Sequence, residues 1–273
     1  MTSCARSSSN YQNALESLFD GDWEAAMIYL DSELQYNIYH IDARFLRAQI
    51  YYHTEEYARA LMDVTFALDN YRRSTSVSKS SLFALQGAIY YDQYNFRRAG
   101  ESYEEAVKLA VKDNKDKIQD YKFILAQSLY FSDDHDGAEK VYMSMLKDDP
   151  DDYTALVGIA RNLRDKERYE DAIEMLEKAE NCDPNYPSIY KFRMQIYSKQ
   201  NKTRDAISAA LTYYELDNNH PLEVIIEYLS LDYDFAIQEV KKRIRDSEDT
   251  DLWESLLSFL YQSRVPYEMN ILI

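Results

Sequence analysis

The side chains in this sequence best suited to chemistry are four histidines, two cysteines and a large excess of carboxylates, 48 against 31 lysines and arginines. His40, His53, His135 and His220 could supply general bases or metal ligands, but none has HExxH spacing, which puts two imidazoles on one helix face. The run Asp133-Asp134-His135-Asp136 places four ligand-type residues in a row. It falls between two helical stretches, where most corresponding places carry short polar runs, and reads as a solvated turn rather than a metal site. Gly21, Gly87, Gly100, Gly137 and Gly158 are dispersed, so neither a phosphate loop nor a dinucleotide fingerprint can be assembled. Cys4 and Cys182 are too few and too far apart for a disulfide framework or a metal knot. Cys182 sits at an apolar helical position, where a buried thiol is expected. The chain is therefore read as not an enzyme, with no catalytic residue, no metal and no cofactor.

The elements that carry these residues are helices. Residues 153–186 hold two amphipathic stretches, 155–166 and 170–181. Leu156, Ile159, Ala160 and Leu163 form one stripe, and Ala172, Ile173, Leu176 and Ala179 another. Ala160 and Ala172 stand where the two axes should cross closely. Asp183 and Pro184 stop the second helix, since proline cannot continue the ladder and restricts the residue before it. Helices this short are marginal alone and need neighbours.

The neighbours recur. Ala138, Ala172 and Ala206 are 34 residues apart, as are Ala26 and Ala60, while Ala99 stands 39 from both Ala60 and Ala138. The two longer intervals are 34-residue units with five residues inserted, 75–79 and 114–118. The serine-rich run around the first insertion is a longer loop, with a phosphorylation switch as the functional alternative. Three residues before each alanine stand Trp23, Tyr57, Phe96, His135, Tyr169 and Thr203, mostly aromatic. Twelve before stand Ala14, Ala48, Gly87, Ala126, Ala160 and Met194, mostly small. Seven after stand Glu33, Ala67, Ala106, Met145, Ala179 and Tyr213, small in half the cases.

A 34-residue repeat of two helices with this small and aromatic pattern resembles the tetratricopeptide repeat family, clearly over about 7–220 and weakly beyond. The resemblance implies an all-α, right-handed α-solenoid of tandem helix-turn-helix repeats. Residues 1–6 are expected to be disordered. One solenoid then covers 7–273, in units 7–40, 41–74, 80–113, 119–152, 153–186 and 187–220, a degenerate 221–250 and an incomplete 251–273. In the degenerate unit the helices are expected at 221–230 and 233–245, with Pro187 and Pro221 opening helices after inter-repeat turns. In the last, a first helix at 252–262 should be followed by a second beginning near Tyr267, cut short at the end and poorly packed.

In tetratricopeptide proteins the free face of the first helices lines a concave groove that receives a peptide or partner helix, and the resemblance implies the same here. Those positions in this chain are Tyr11, Phe45, Gln49, Tyr52, Tyr91, Phe123, Gln127 and Tyr130, then Arg161, Arg164, Lys191, Gln195 and Lys199. An aromatic half is thus followed by a basic half. In the tandems Tyr51-Tyr52 and Tyr90-Tyr91, successive side chains are rotated by about 100°, so one ring packs within the repeat and the next faces the groove. Family members that clamp a C-terminal carboxylate place lysine and asparagine on the first repeat, with lysine and arginine later. Here Tyr11 and Leu15 stand in the first unit and Phe45 and Gln49 in the second, so that pattern is absent there, and Lys191 with Gln195 in the sixth resembles it only in part.

The formal charge of -17 disfavours nucleic acid as a partner, which needs a basic face. No run of about 18 apolar residues occurs, so no membrane span is expected. At face value the protein is cytoplasmic, or periplasmic or secreted if a native leader was removed. The expected function is a non-catalytic scaffold that binds a protein segment with an aromatic or apolar portion and an acidic portion. The alternatives are a repeat module of a larger enzyme or secreted protein truncated at its C-terminus, and a self-assembling repeat protein. Monomer and weak homo-oligomer are both compatible with the sequence.

Overall fold

The computed structural model describes the backbone of residues 2–71, 76–217, 222–247 and 250–271, and the side chains of 9–71, 76–217, 222–247 and 250–263. Among the described residues every regular element is helical. The helices come in consecutive pairs: α1 (Thr2–Phe19) with α2 (Trp23–Tyr36), α3 (Ile41–His53) with α4 (Tyr57–Asp69), and α5 (Lys79–Asp92) with α6 (Phe96–Asp113). Then come α7 (Ile118–Phe131) with α8 (His135–Asp148), α9 (Tyr153–Asp165) with α10 (Tyr169–Cys182), and α11 (Pro187–Lys199) with α12 (Thr203–Leu216). A shorter pair, α13 (Leu222–Leu229) and α14 (Tyr233–Asp246), precedes a single α15 (Asp251–Ile271). The protein is an all-α solenoid, and it divides into two compact units, Met1–Met145 and Leu146–Ile273, the division falling within α8.

The 34-residue frame explains what each helix buries. The alanines at 26, 60, 99, 138, 172 and 206 are all fully buried, and Ala236 repeats the pattern in α14. The positions twelve before and seven after each marker are buried too, including Met145, Tyr213 and Glu33, which are not small. Glu33 is accommodated at this core position beside His40, whose Nε2 lies 3.7 Å from its carboxylate. The residue three before each marker is the first residue of each second helix from α2 to α12, and again of α14.

Each intra-repeat turn uses one device. At the position five before the marker the backbone is left-handed: Gly21, Glu55, Tyr94, Asp133, Glu167 and Asn201 have φ between 57° and 78°. The amide of each left-handed residue bonds the carbonyl three back, and the next amide bonds five back, as in Glu55 to Tyr52 and Glu56 to Tyr51. These are Schellman motifs, which satisfy the orphan carbonyls at the end of the first helix. Glycine meets the φ requirement without steric cost, yet it occurs only in the first repeat; elsewhere larger residues bear that cost. The second helix then starts on a side-chain cap where the sequence offers one, as Asp22 accepts from Ala25 and Asn95 from Arg98. The run 133–136 is such a turn: Asp134 accepts the Gly137 amide at 2.9 Å, and Asp133 faces His135 at 3.2 Å.

In the first unit the core runs from Ala14, Ala26 and Leu30 through Ala48, Ala60 and Ile89 to Tyr103, Tyr121 and Leu125. In the second unit α9 packs on α10 and α11, α12 on α11, α13 and α14, and α15 on α14. Trp253, Leu256 and Leu260 bury one stripe of α15, with Arg243 of α14 stacked 5.1 Å over the Trp253 ring. In the first insertion, Ser76 and Val77 are tied by their amides to the Asp42 carboxylate; Thr75 and the residues just before it lie outside the described ones. The second insertion lengthens α6 and adds a 3₁₀ turn, Lys115–Lys117.

Three expectations need correction. The last element is one helix of 21 residues, Asp251–Ile271, rather than a first helix followed by a second near Tyr267. Residues 263–266 contain no residue suited to a left-handed turn, and Pro266 removes only one ladder bond, so the helix runs on. Cys182 is exposed rather than buried: at the last residue of α10 its thiol points out and donates to the Lys178 carbonyl at 3.2 Å. Desolvation by its neighbours, then the charges of Asp151 and Asp149, raise its pKa, which disfavours the reactive thiolate. At the other end, α1 begins at Thr2 and so includes residues expected to be disordered. Pro221 and His220 lie outside the described residues.

Candidate functional site

The first helices position the candidate residues, and each unit presents its own set. In the first unit Tyr11, Phe45, Gln49, Tyr52, Tyr91, Phe123, Gln127 and Tyr130 are all half-buried, on α1, α3, α5 and α7. Two links join them across repeats. The Tyr91 hydroxyl donates to Gln127 Oε1 at 2.8 Å, connecting α5 to α7. The Tyr52 hydroxyl donates to the Asp92 carboxylate, connecting α3 to the end of α5; burial first, then that bond, push its pKa well above the ordinary tyrosine value. Tyr52 also packs against Tyr57 at 6.2 Å, and Tyr11 lies 4.7 Å from the His40 ring. Burial, aided by Asp42, holds the Tyr11 hydroxyl neutral beyond its ordinary range. Phe45 is more a core residue than the helical period suggests, packing against the clusters around Ala48 and Leu82. Tyr51, like Tyr52, is half-buried, and it lies between two guanidinium groups, Arg47 at 5.8 Å and Arg59 at 5.6 Å.

In the second unit Arg161, Arg164, Lys191 and Gln195 are half-buried and Lys199 is exposed. Arg164 donates from Nη1 to Gln195 Oε1, bringing together two of the candidates from α9 and α11. It also pairs with Asp165 at 2.7 Å and stacks 4.9 Å over the Phe192 ring. Arg164 is thus held as a planar, partly neutralised group.

Some ordered polar groups do not follow from the repeat pattern. Asp63 is buried on α4 between two arginines of α3: Arg44 Nη1 lies at 2.7 Å, and Arg47 donates from Nε at 2.7 Å and Nη2 at 2.8 Å. Arg47 continues to Asp31 of α2 at 2.7 Å, so one network pins three helices. The only hint in sequence is a charged residue at a core-facing position. Glu180 of α10 similarly accepts from Arg193 at 2.7 Å and from the Tyr190 hydroxyl at 2.9 Å. Arg193 holds the Glu180 carboxyl below its ordinary range, and burial with that bond pushes Tyr190 up to about 12. Among the described residues, no three histidine, cysteine or acidic side chains gather in a way that could hold a metal ion. Nor is any helix among them long and apolar enough to cross a membrane.

Comparison with known proteins agrees with this architecture. A family model described as tetratricopeptide repeat matches residues 129–196. No curated protein sequence matches the chain. Among solved structures, a tetratricopeptide repeat protein from Parabacteroides merdae is similar with a TM-score of 0.69 at 14% identity, covering 94% of this chain and 99% of that one. The pilF protein of Pseudomonas aeruginosa is similar with a TM-score of 0.60 at 15% identity, over 85% of this chain and 98% of the other. YrrB, described as a tetratricopeptide repeat protein with an unusual peptide-binding site, has a TM-score of 0.51 at 15% identity, over 70% of this chain and 93% of its own. The recurring buried alanines and the six matching turns repeat, along the described residues, the two-helix unit that the tetratricopeptide repeat model matches over residues 129–196.

Proposed function

We propose that this chain is a non-catalytic protein-interaction scaffold, and that the first-helix face of each unit binds an extended or helical segment of a protein partner. The observation that carries the proposal is the row of half-buried side chains on α1, α3, α5 and α7. They have apolar bodies for contact and polar tips ordered across repeats, as in Tyr91 with Gln127. Tyrosines of this kind favour binding surfaces because they bury area at little entropic cost. The likeness to YrrB, whose description includes a peptide-binding site, supports the same class of function. The residues available in the first unit suit an apolar or aromatic portion of the partner, and those in the second suit an acidic one.

With a partner identified by affinity capture and confirmed with purified components, Tyr52→Ala and Tyr91→Ala should weaken binding through lost apolar contact. Arg161→Glu combined with Lys191→Glu should also weaken it, by an amount that shrinks at high salt because charge contacts set on-rate and specificity. Binding untouched by both sets but abolished by Glu174→Lys, on α10, would place the site on the second helices instead.

A further inference from the structure

We propose that the turn edge of the third and fourth repeats is a second recognition surface, which takes arginine-bearing segments of a protein partner onto exposed aromatic faces. Tyr94 is the starting point. It is 82% exposed and sits at φ 58°, where the equivalent turns carry Gly21 or Asn201 at less steric cost. A bulky aromatic held there and projecting into solvent has no use in the core. Its ring meets Phe96 edge-on at 6.1 Å, and Phe96 stacks on Phe131 at 4.9 Å. Tyr91 closes the group, 5.2 Å from Phe96 and 6.3 Å from Phe131, and Phe131 is itself 46% exposed. The group is wider than the core needs, since these rings line the ends of α5, α6 and α7 rather than the interior.

Its surroundings choose the occupant. Asp92 and Asp133 are exposed at these turns and Glu55 at the turn of the neighbouring second repeat, and the Asp133 carboxylate is 96% exposed beside His135. Asp92, Glu55 and Tyr94 all act on the Tyr57 hydroxyl, which is held above its ordinary pKa first by burial and then by these groups. Aromatic faces beside carboxylates are complementary to a planar cation, which stacks on the ring and pairs at its edge. The chain uses this chemistry on itself: Arg44 stacks on Phe66 at 3.7 Å and Arg98 on Tyr90 at 5.6 Å. A second copy of a chain with net charge -17 is a poor occupant for an acidic edge.

The test uses the full chain and a synthetic peptide of three arginines spaced by glycines, with a citrulline version as the neutral isostere, in titration calorimetry at two salt concentrations. The arginine peptide should bind at least about tenfold more tightly than the citrulline peptide. Tyr94→Asn with Phe131→Leu leaves the net charge unchanged and keeps a residue suited to the left-handed turn; it should lower affinity about tenfold with the circular dichroism spectrum unaltered. Glu55→Gln with Asp133→Asn should lower affinity and flatten its salt dependence, whereas Glu174→Gln with Glu177→Gln, the same charge change in the second unit, should do neither. Phe131 ends α7 and touches the groove residue Tyr91, so it is the charge pair, Glu55 and Asp133 in the turns, whose result stands or falls separately from the groove. Equal binding of the two peptides, parental binding by the Tyr94→Asn, Phe131→Leu variant, or equal losses from the two charge pairs would each overturn the proposal.

Discussion

Gly87 and Gly100 lie in the same helix pair, and their substitution by alanine should have opposite signs. Both are buried in helices, where alanine gains about 1 kcal/mol over glycine from backbone propensity alone. At Gly100 an added Cβ would lie 3.7 Å from Ser128 Cβ and 3.8 Å from Leu129 Cδ2, ordinary contact distances. The site opens onto a cleft lined by Leu125, Leu129 and Val141, so the methyl adds burial without compression. Gly100→Ala should therefore stabilise the protein by about 1–2 kcal/mol. At Gly87 the added Cβ would meet the Tyr103 ring at 2.6 and 2.7 Å. Tyr103 is itself buried and packed 6.3 Å from the Tyr121 ring, so it cannot swing away cheaply. Overpacking of this kind costs about 1–3 kcal/mol, which equals or exceeds the propensity gain. Urea unfolding read by circular dichroism, with amide exchange in α5 and α6, would measure both, since repeat arrays can depart from two-state unfolding. Adding Tyr103→Leu to Gly87→Ala should recover part of the loss relative to Tyr103→Leu alone, as a coupling between contacting residues. Stabilisation by Gly87→Ala comparable to that by Gly100→Ala would refute the close approach of α5 to α6 on which this reasoning rests.

Asp63→Ala should destabilise the first unit by about 3 kcal/mol or more, because Arg44 and Arg47 lose their buried counter-ion; a shift of thermal or urea midpoint measures it. Glu167→Gly should raise stability by about 0.5–1 kcal/mol by relieving a left-handed φ of 58°, whereas Glu167→Val should lower it, and parallel urea titrations of the two decide the point. Because Arg193 depresses the folded-state pKa of Glu180, the contribution of this pair is present above the ordinary carboxylate value of about 4.5 and is lost as pH falls through the lower folded value. Glu180→Gln should therefore flatten the acid limb of stability against pH below about 4.5, and leave an unchanged limb only if the ion pair is absent in solution.

How far the sequence reaches can be seen residue by residue. The alanine frame predicts burial at every marker, because one small side chain per crossing is a local requirement repeated along the chain. The turns are less legible: Glu55, Tyr94 and Glu167 do not announce a left-handed residue, since the Schellman bonds rather than side-chain preference impose it. Cys182 shows the limit of periodicity at a helix end, where the last residue can turn outward. The missing second helix near Tyr267 shows that a repeat frame cannot be extrapolated past its last good marker. In the candidate faces, helical rotation does not separate the tandem rings as expected, since Tyr51 and Tyr52 are both half-buried and both pack against the cluster around Ala48. The commitment of Arg164 to Asp165, Gln195 and Phe192 depends on neighbours that meet it only in the fold.

The central claim, that first-helix faces receive the partner, is tested most directly by site-specific photo-crosslinking. A photoreactive residue placed singly at Gln49, Gln127 or Gln195 samples the first helices, and one at Glu101, Glu174 or Gln238 samples the second. With an established partner, adducts of one mass should form from Gln49, Gln127 and Gln195, and compete away with excess unlabelled partner. Adducts confined to Glu101, Glu174 and Gln238 would contradict the claim.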